Sequence, residues 1–112
     1  MKHVTIDISQ VKSYVAANLS KIHSTHQMAA ELGCSDAILC TRFHEAAGIS
    51  LRRYIIQLRV CQMKDRLQDH SVLCKVVCLD AGMSEYSGAR LFKHETGVTM
   101  QEFRNQGPNL RD

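Results

Sequence analysis

The side chains here that could ligate or react are five cysteines, six histidines and eleven carboxylates. The cysteines are Cys34, Cys40, Cys61, Cys74 and Cys78. None stands in a Cys-x-x-Cys pair, so the usual zinc spacing is absent. An odd number of thiols behind a start with no secretory core points to free cysteines. Cys74 and Cys78, four residues apart, would share one helix face. The favoured reading is small buried apolar residues, and the competing one is a metal or redox role. The histidines are scattered, no Ser/His/Asp logic appears, and no glycine-rich phosphate loop is present, so the chain is not expected to be an enzyme or to hold a cofactor. What remains is hydrogen-bonding and charge chemistry. Fourteen Lys and Arg against eleven Asp and Glu give a net charge of +3. That balance permits binding to a polyanion without requiring it.

Such chemistry depends on the elements that present it. A length of 112 residues allows one domain or two very small ones sharing a central element. Pro108 is the only proline and no Gly/Ser-rich linker interrupts the chain, which favours helices packed on helices. The segment Met1-Lys2-His3-Val4-Thr5-Ile6-Asp7 lacks the apolar core of a signal peptide. No apolar run approaches the roughly 20 residues of a membrane helix. A cytoplasmic protein with no membrane partner is the expectation.

The strongest organisational signal is an internal repeat. Gly33 and Gly82 are 49 residues apart, and the same offset relates Ser35 to Ser84, Phe43 to Phe92, Gly48 to Gly97 and Tyr54 to Phe103. It also pairs Met28 with Val77 and Ala29 with Cys78. Two copies of one unit are therefore expected, at roughly 24–54 and 73–103. Each reads as helix, tight turn, helix. In the first, Ser24-Thr25-His26-Gln27 is a capping box and Met28, Ala29 and Leu32 point inward. Gly33 ends that helix. Ser35 caps the next, with Asp36 at its positive end, and Ile38, Leu39 and Phe43 supply apolar groups at helical spacing. Leu51 to Gln68 runs without a breaker as one long connecting helix, and Ile8, Val11, Tyr14, Val15 and Leu19 form an amphipathic helix before the first unit. The expected division is 1–50 for the first helix and first helix-turn-helix, 51–69 for the connector, 70–105 for the second helix-turn-helix, and 106–112 for a frayed tail.

These residues resemble the DNA-binding domain of the bacterial AraC/XylS transcription regulators over about residues 8–105. The pattern runs Met28-Ala29-Ala30-Glu31-Leu32-Gly33-Cys34-Ser35, then Leu39, Phe43 and Gly48, then Tyr54-Ile55-x-x-Leu58-Arg59. Its most specific part is Arg90-Leu91-Phe92-Lys93-His94-Glu95-Thr96-Gly97-Val98-Thr99 with Glu102-Phe103-Arg104. The resemblance implies an all-α domain of about seven helices, with two helix-turn-helix subdomains joined by a long connecting helix. It implies one recognition helix per half, entering successive major grooves of double-stranded DNA about one turn apart, with a monomer on an asymmetric site. RNA polymerase is a further candidate partner, above all for a protein-interaction role of the same fold. The effector or dimerisation domain of the family is missing from 112 residues, so the chain is either a short stand-alone member, which Met1 slightly favours, or a fragment.

With Leu39 and Phe43 inward, Ala37, Cys40 and Thr41 face outward, which also matches the positions the family uses. Ala37 and the Thr41 methyl suit a thymine methyl, and the Thr41 hydroxyl is versatile. The offset places Tyr86, Ala89 and Arg90 equivalently, and the Arg90 fork suits guanine. For each, an ordinary surface role competes, and for Arg90 a salt bridge or phosphate contact. His44 and Lys93 stand where the family often has a basic residue near the backbone. Arg42, Arg53 and Lys75 are further phosphate candidates. Arg59 matches the family's connector arginine, with a positioning role rather than base reading.

The second unit departs from the family by one residue fewer between Gly82 and Phe92 and by Met100 in place of a proline, and it departs from the first unit by Leu73 where that unit has its N-cap Ser24. The repeat sets Gly88 against Leu39, which predicts a hole that leucine would fill, with Tyr86 folding inward as one way to repack. The shorter turn offers the opposite outcome, a helix drawn in so that no hole exists. Two other functions compete: a protein-interaction module of the same fold with a degenerate second unit, and a thiol- or metal-responsive regulator that the outward Cys40 would serve.

Overall fold

The computed structural model describes residues 7–22 and 24–106, and within them there are seven α-helices and no strand. The expected frayed tail after Gln106 lies outside the described residues. The helices are α1 Ile8–Asn18, α2 Thr25–Leu32, α3 Asp36–Ala47, α4 Leu51–Leu67, α5 Cys74–Asp80, α6 Glu85–Thr96 and α7 Met100–Gln106. The chain forms two compact units, the first ending at Gln57 and the second starting at Leu58, so that α4 contributes to both.

The 49-residue offset is visible in the helix bounds themselves. Asp36–Ala47 maps onto Glu85–Thr96, and the starts of α2 and α4 map onto those of α5 and α7. The cause is local. Ser35 Oγ accepts from the Ile38 N–H at 3.1 Å, and Ser84 Oγ accepts from the Ser87 N–H at 3.1 Å, so each repeat starts its second helix with the same cap. Gly48 and Gly97 close those helices, their N–H groups reaching the His44 and Lys93 carbonyls.

In the first unit, Ser24 Oγ accepts from the Gln27 N–H at 3.0 Å. The turn after α2 bends at Gly33, whose φ of 80° is left-handed backbone that a Cβ would strain. Val11, Val15, Met28, Ala29, Leu39, Phe43, Leu51 and Ile55 make the core. The Tyr14 hydroxyl donates to Glu31 Oε1 at 2.5 Å, tying α1 to α2. That hydrogen bond, helped by partial burial, raises the Tyr14 pKa above its ordinary value.

In the second unit, Val60, Met63, Leu67, Val77, Cys78, Ala81, Phe92 and Met100 are buried. Phe92 meets Phe103 edge-on with centroids 5.6 Å apart, where the first unit tilts Phe43 on Tyr54 at 5.3 Å. The repeat therefore preserves an aromatic contact as well as its helices. Thr99 and Glu102 form a reciprocal capping box on α7, with Thr99 Oγ1 accepting from the Glu102 N–H at 3.0 Å and Glu102 Oε1 from the Thr99 N–H at 2.9 Å. Leu73 precedes α5 without any side-chain cap.

The expected hole at Gly88 does not exist. Gly88 is buried and faces inward like Leu39, but α6 lies so close to α5 that a Cβ built on it falls 2.4 Å from Cys78 Sγ and 2.8 Å from Cys78 Cβ. The space that Leu39 fills in the first unit is closed in the second by the approach of the two helices. Tyr86 does not fold inward to repack the unit; it is 70% exposed.

Candidate nucleic-acid interface

Each second helix of the repeat carries an exposed stripe beside the face that holds its buried Phe. On α6 the stripe is Tyr86, Ala89, Arg90 and Lys93, all exposed and spaced i, i+3, i+4, i+7, which places them on one face. On α3 the equivalent positions are Ala37, Cys40, Thr41 and His44. Ala37, Thr41 and His44 are exposed. Cys40 is only half-buried rather than fully outward, and its thiol donates to Asp36 Oδ1 at 3.4 Å. Burial, with Asp36 adding to it, pushes the Cys40 pKa up, the reverse of what a reactive thiolate needs. Among the described residues no three His, Cys, Asp or Glu side chains gather as metal ligands would.

The remaining cationic candidates are dispersed. Arg42 is exposed on α3 and Lys75 is exposed in the first turn of α5. Arg53 is half-buried near the start of α4, where its backbone N–H donates to Ser50 Oγ at 3.0 Å. Arg59 is half-buried on α4, and burial lowers its pKa.

Arg90 is the most organised of these groups. Its Nη1 donates to the Tyr86 hydroxyl oxygen at 2.9 Å, and its guanidinium carbon lies 5.5 Å from the Tyr86 ring centroid. The two residues are one helical turn apart, which is what brings them together. The first unit has Ala37 and Thr41 at these places, so the two stripes differ in chemistry: small and methyl-bearing on α3, aromatic and cationic on α6.

Two features escaped the sequence reading. Ile38, expected among the apolar packing residues of α3, is 41% exposed beside Ala37 and Thr41. The signal was available in the repeat, since its counterpart Ser87 is polar and exposed. Arg104, in sequence terms one position of the C-terminal motif, is a structural clamp. It donates from Nε to the Leu67 carbonyl at 3.0 Å and from Nη2 to the Asp69 and Val72 carbonyls. The end of α4 and the turn leading into α5 are held by this one guanidinium. At the other end of α5, Gln62 Nε2 donates to the Asp80 carbonyl at 3.2 Å and Arg66 pairs with the Asp80 carboxylate. These contacts fix α5, and α6 packs on α5.

Seven helices, with two repeat-matched helix-turn-helix units each presenting one striped helix, define a double helix-turn-helix domain. A family model described as a helix-turn-helix domain matches residues 28–106. The chain belongs to this family, in its AraC-type form. The HTH-type transcriptional activator RhaR of Escherichia coli K12 is 28% identical over 93 residues, which is 81% of this chain and 33% of that protein. The chain thus spans about a third of the length of the curated relatives it matches. The structure of an AraC-type transcriptional regulator from Chromobacterium violaceum shares the fold with a TM-score of 0.75 at 24% identity, covering 88% of this chain and 89% of that one. The DNA-binding domain of AdpA, a global transcriptional factor solved in complex with a target DNA, shares it with a TM-score of 0.82 at 19% identity, covering 93% and 95%. No helix among the described residues is long and apolar enough to cross a membrane.

Proposed function

We propose that the chain binds double-stranded DNA at specific sequences, as a cytoplasmic transcription regulator of the AraC/XylS type and not as an enzyme. The observation that carries this reading is the pair of exposed, repeat-matched stripes on α3 and α6. Its support from relatives is the AdpA domain, of the same fold, bound to a target DNA. In this reading residues 1–50 and 70–105 are the two reading units and 51–69 connects them. The two helices enter successive major grooves, and one protomer covers an asymmetric site. Ala37 and Thr41 contact thymine methyls, with Cys40 at their edge, while Arg90, with Tyr86 and Ala89 beside it, reads the second half. Arg42, His44, Arg53, Lys75 and Lys93 contact phosphates and make binding fall steeply with salt.

Selection of bound duplexes from a random pool, followed by footprinting and a stoichiometry titration, tests it. The expected result is one protomer on an asymmetric footprint of roughly two major-groove turns. A symmetric footprint holding two protomers contradicts the geometry, and the absence of any enriched sequence contradicts the function.

A second reading has its own observation. Leu73 and Leu79 are 67% and 52% exposed and Val76 lies between them, where the first unit has Ser24, Ala30 and Gln27. An apolar surface confined to the second unit suits a protein contact, to RNA polymerase or to another regulator. If that contact has replaced DNA reading, mobility shifts on genomic fragments give only salt-labile smearing in place of discrete bands.

A further inference from the structure

We infer that Tyr86 is a positioning residue for Arg90, and that the pair makes the second helix-turn-helix a reader of guanine. The inference rests on the DNA-binding reading above and assigns a specificity to one of its halves. Its ground is the geometry of two exposed side chains on α6. The Tyr86 ring lies under the guanidinium, 5.5 Å from centroid to guanidinium carbon, and the Tyr86 hydroxyl oxygen accepts from Arg90 Nη1 at 2.9 Å.

An exposed arginine ordinarily samples many rotamers, and ordering it on binding reduces affinity and selectivity. Here the cation–π contact restrains the plane of the guanidinium and the hydrogen bond restrains its rotation within that plane. The donor inventory also fits. Arginine has five N–H donors, and the hydroxyl takes one of them. The Nε and Nη2 edge keeps two parallel donors for an acceptor pair, which is what guanine presents in the major groove through O6 and N7. Adenine offers a donor at the equivalent place and is rejected. Tyrosine is not a cationic residue, so Tyr86 brings no positive charge toward phosphate. It is 70% exposed and outside the core, so its replacement leaves the packing of α6 on α5 in place. The first unit has no counterpart, because Ala37 and Thr41 occupy these positions.

The test uses the full chain and begins from the site enriched by selection with the unaltered protein. Failure to enrich any site defeats the DNA-binding reading itself. With a site in hand, Arg90→Ala identifies the base pair whose guanine preference disappears. Competition binding with the other three bases at that pair is expected to show a preference of about ten- to a hundredfold for guanine. Tyr86→Ala is expected to remove most of that preference at the same base pair. Tyr86→Phe, which keeps the ring and loses the acceptor, is expected to fall between the two. Salt slopes should stay the same in both tyrosine variants, since no phosphate contact is lost. In the free protein, the Arg90 side-chain protons should show a ring-current NMR shift that Tyr86→Ala abolishes and Tyr86→Phe largely keeps. The proposal is overturned if Tyr86→Ala retains the full guanine preference. It is equally overturned if that variant loses selectivity at a different base pair, which would make Tyr86 an independent reader, or if the ring-current shift is absent from the unaltered protein.

Discussion

Replacing Gly88 is the sharpest probe of how the second unit is built. In Gly88→Ala the new Cβ would lie 2.8 Å from Cys78 Cβ and 2.4 Å from Cys78 Sγ. The thiol can swing aside, at the expense of its contacts to the Glu85 carbonyl and to Met100 Sδ, at 3.8 and 3.7 Å. Cys78 Cβ cannot move independently of α5. Carbon pairs sit best at roughly 3.5–4.0 Å, so the helices must part by about 0.7 Å or more, and a gap of that size forfeits a quarter to a half of the affected dispersion contacts. Overpacking of this kind costs about 1–3 kcal/mol, offset by the ~1 kcal/mol that alanine gains over glycine within a helix. The net expectation for Gly88→Ala is a loss of ~0–2 kcal/mol. For Gly88→Leu, which must also place its terminal carbons in filled space, the loss reaches the upper end of overpacking, ~3 kcal/mol or more. At roughly 4–8 °C per kcal/mol for a domain near this size, the leucine variant should melt more than 10 °C lower. Urea and thermal melts followed by far-UV circular dichroism measure this. The double variant with Cys78→Ala gives these two positions the residues of the first unit, alanine as at Ala29 and leucine as at Leu39. It should recover part of the loss, with a coupling of about 0.5–3 kcal/mol. A Gly88→Leu midpoint at or above that of the parent, or strict additivity with Cys78→Ala, would refute the close approach of α5 and α6.

Three further outcomes follow from named contacts. Arg104→Ala should destabilise the second unit by roughly 2–4 kcal/mol, because three carbonyls lose a charged donor, and hydrogen exchange should accelerate at the α4–α5 turn before it does in the first unit. Leu73→Asp supplies the missing N-cap of α5 and should raise the unfolding free energy by ~0.5–1 kcal/mol, whereas Ser84→Ala should lower it by ~0.5–2 kcal/mol, both read from the urea midpoint. The Asp69 carboxyl is held below its ordinary pKa by hydrogen bonds from the Ser71 hydroxyl and N–H, and Glu102 by the Thr99 N–H. A depressed folded-state pKa gives stability that is present above the unfolded values, near ~3.9 and ~4.3, and is lost as pH falls through the folded ones. Melting midpoints should therefore decline on acidification below about pH 4, with a shallower decline in Asp69→Asn and Glu102→Gln.

Much of the architecture was legible because its determinants are local. Cap serines, closing glycines and apolar spacing recur at one offset, and helices α3 and α6 start and stop where those residues dictate. The lack of a cap at Leu73 was equally readable. What misled was any inference that treated a position in isolation from its partner across the helix pair. Gly88 compared with Leu39 looks like missing volume, whereas Gly88 compared with Cys78 is clearance for a nearer helix. Hydrophobicity alone points Ile38 inward, although its repeat mate Ser87 marks the position as outward. The role of Arg104 depends on carbonyls more than thirty residues away, and no spacing rule reaches that far. The Tyr86–Arg90 contact follows from i, i+4 spacing, yet which way an exposed tyrosine turns is decided only in three dimensions.

The paired residues at Ala29 and Leu39, and at Cys78 and Gly88, bear on how such a domain could be re-engineered. Helices α3 and α6 have equal length and the same cap and closing residues, so they look interchangeable as cassettes. They are not. Grafting α6 behind α2 would put glycine at the place that buried Leu39 fills and leave a void, while grafting α3 behind α5 would drive Leu39 into Cys78. The smallest transferable part is the helix-turn-helix pair, first helix and second together. A chimera that respects that boundary moves the Tyr86 and Arg90 stripe into the first unit, and one that cuts at the turn is expected to misfold.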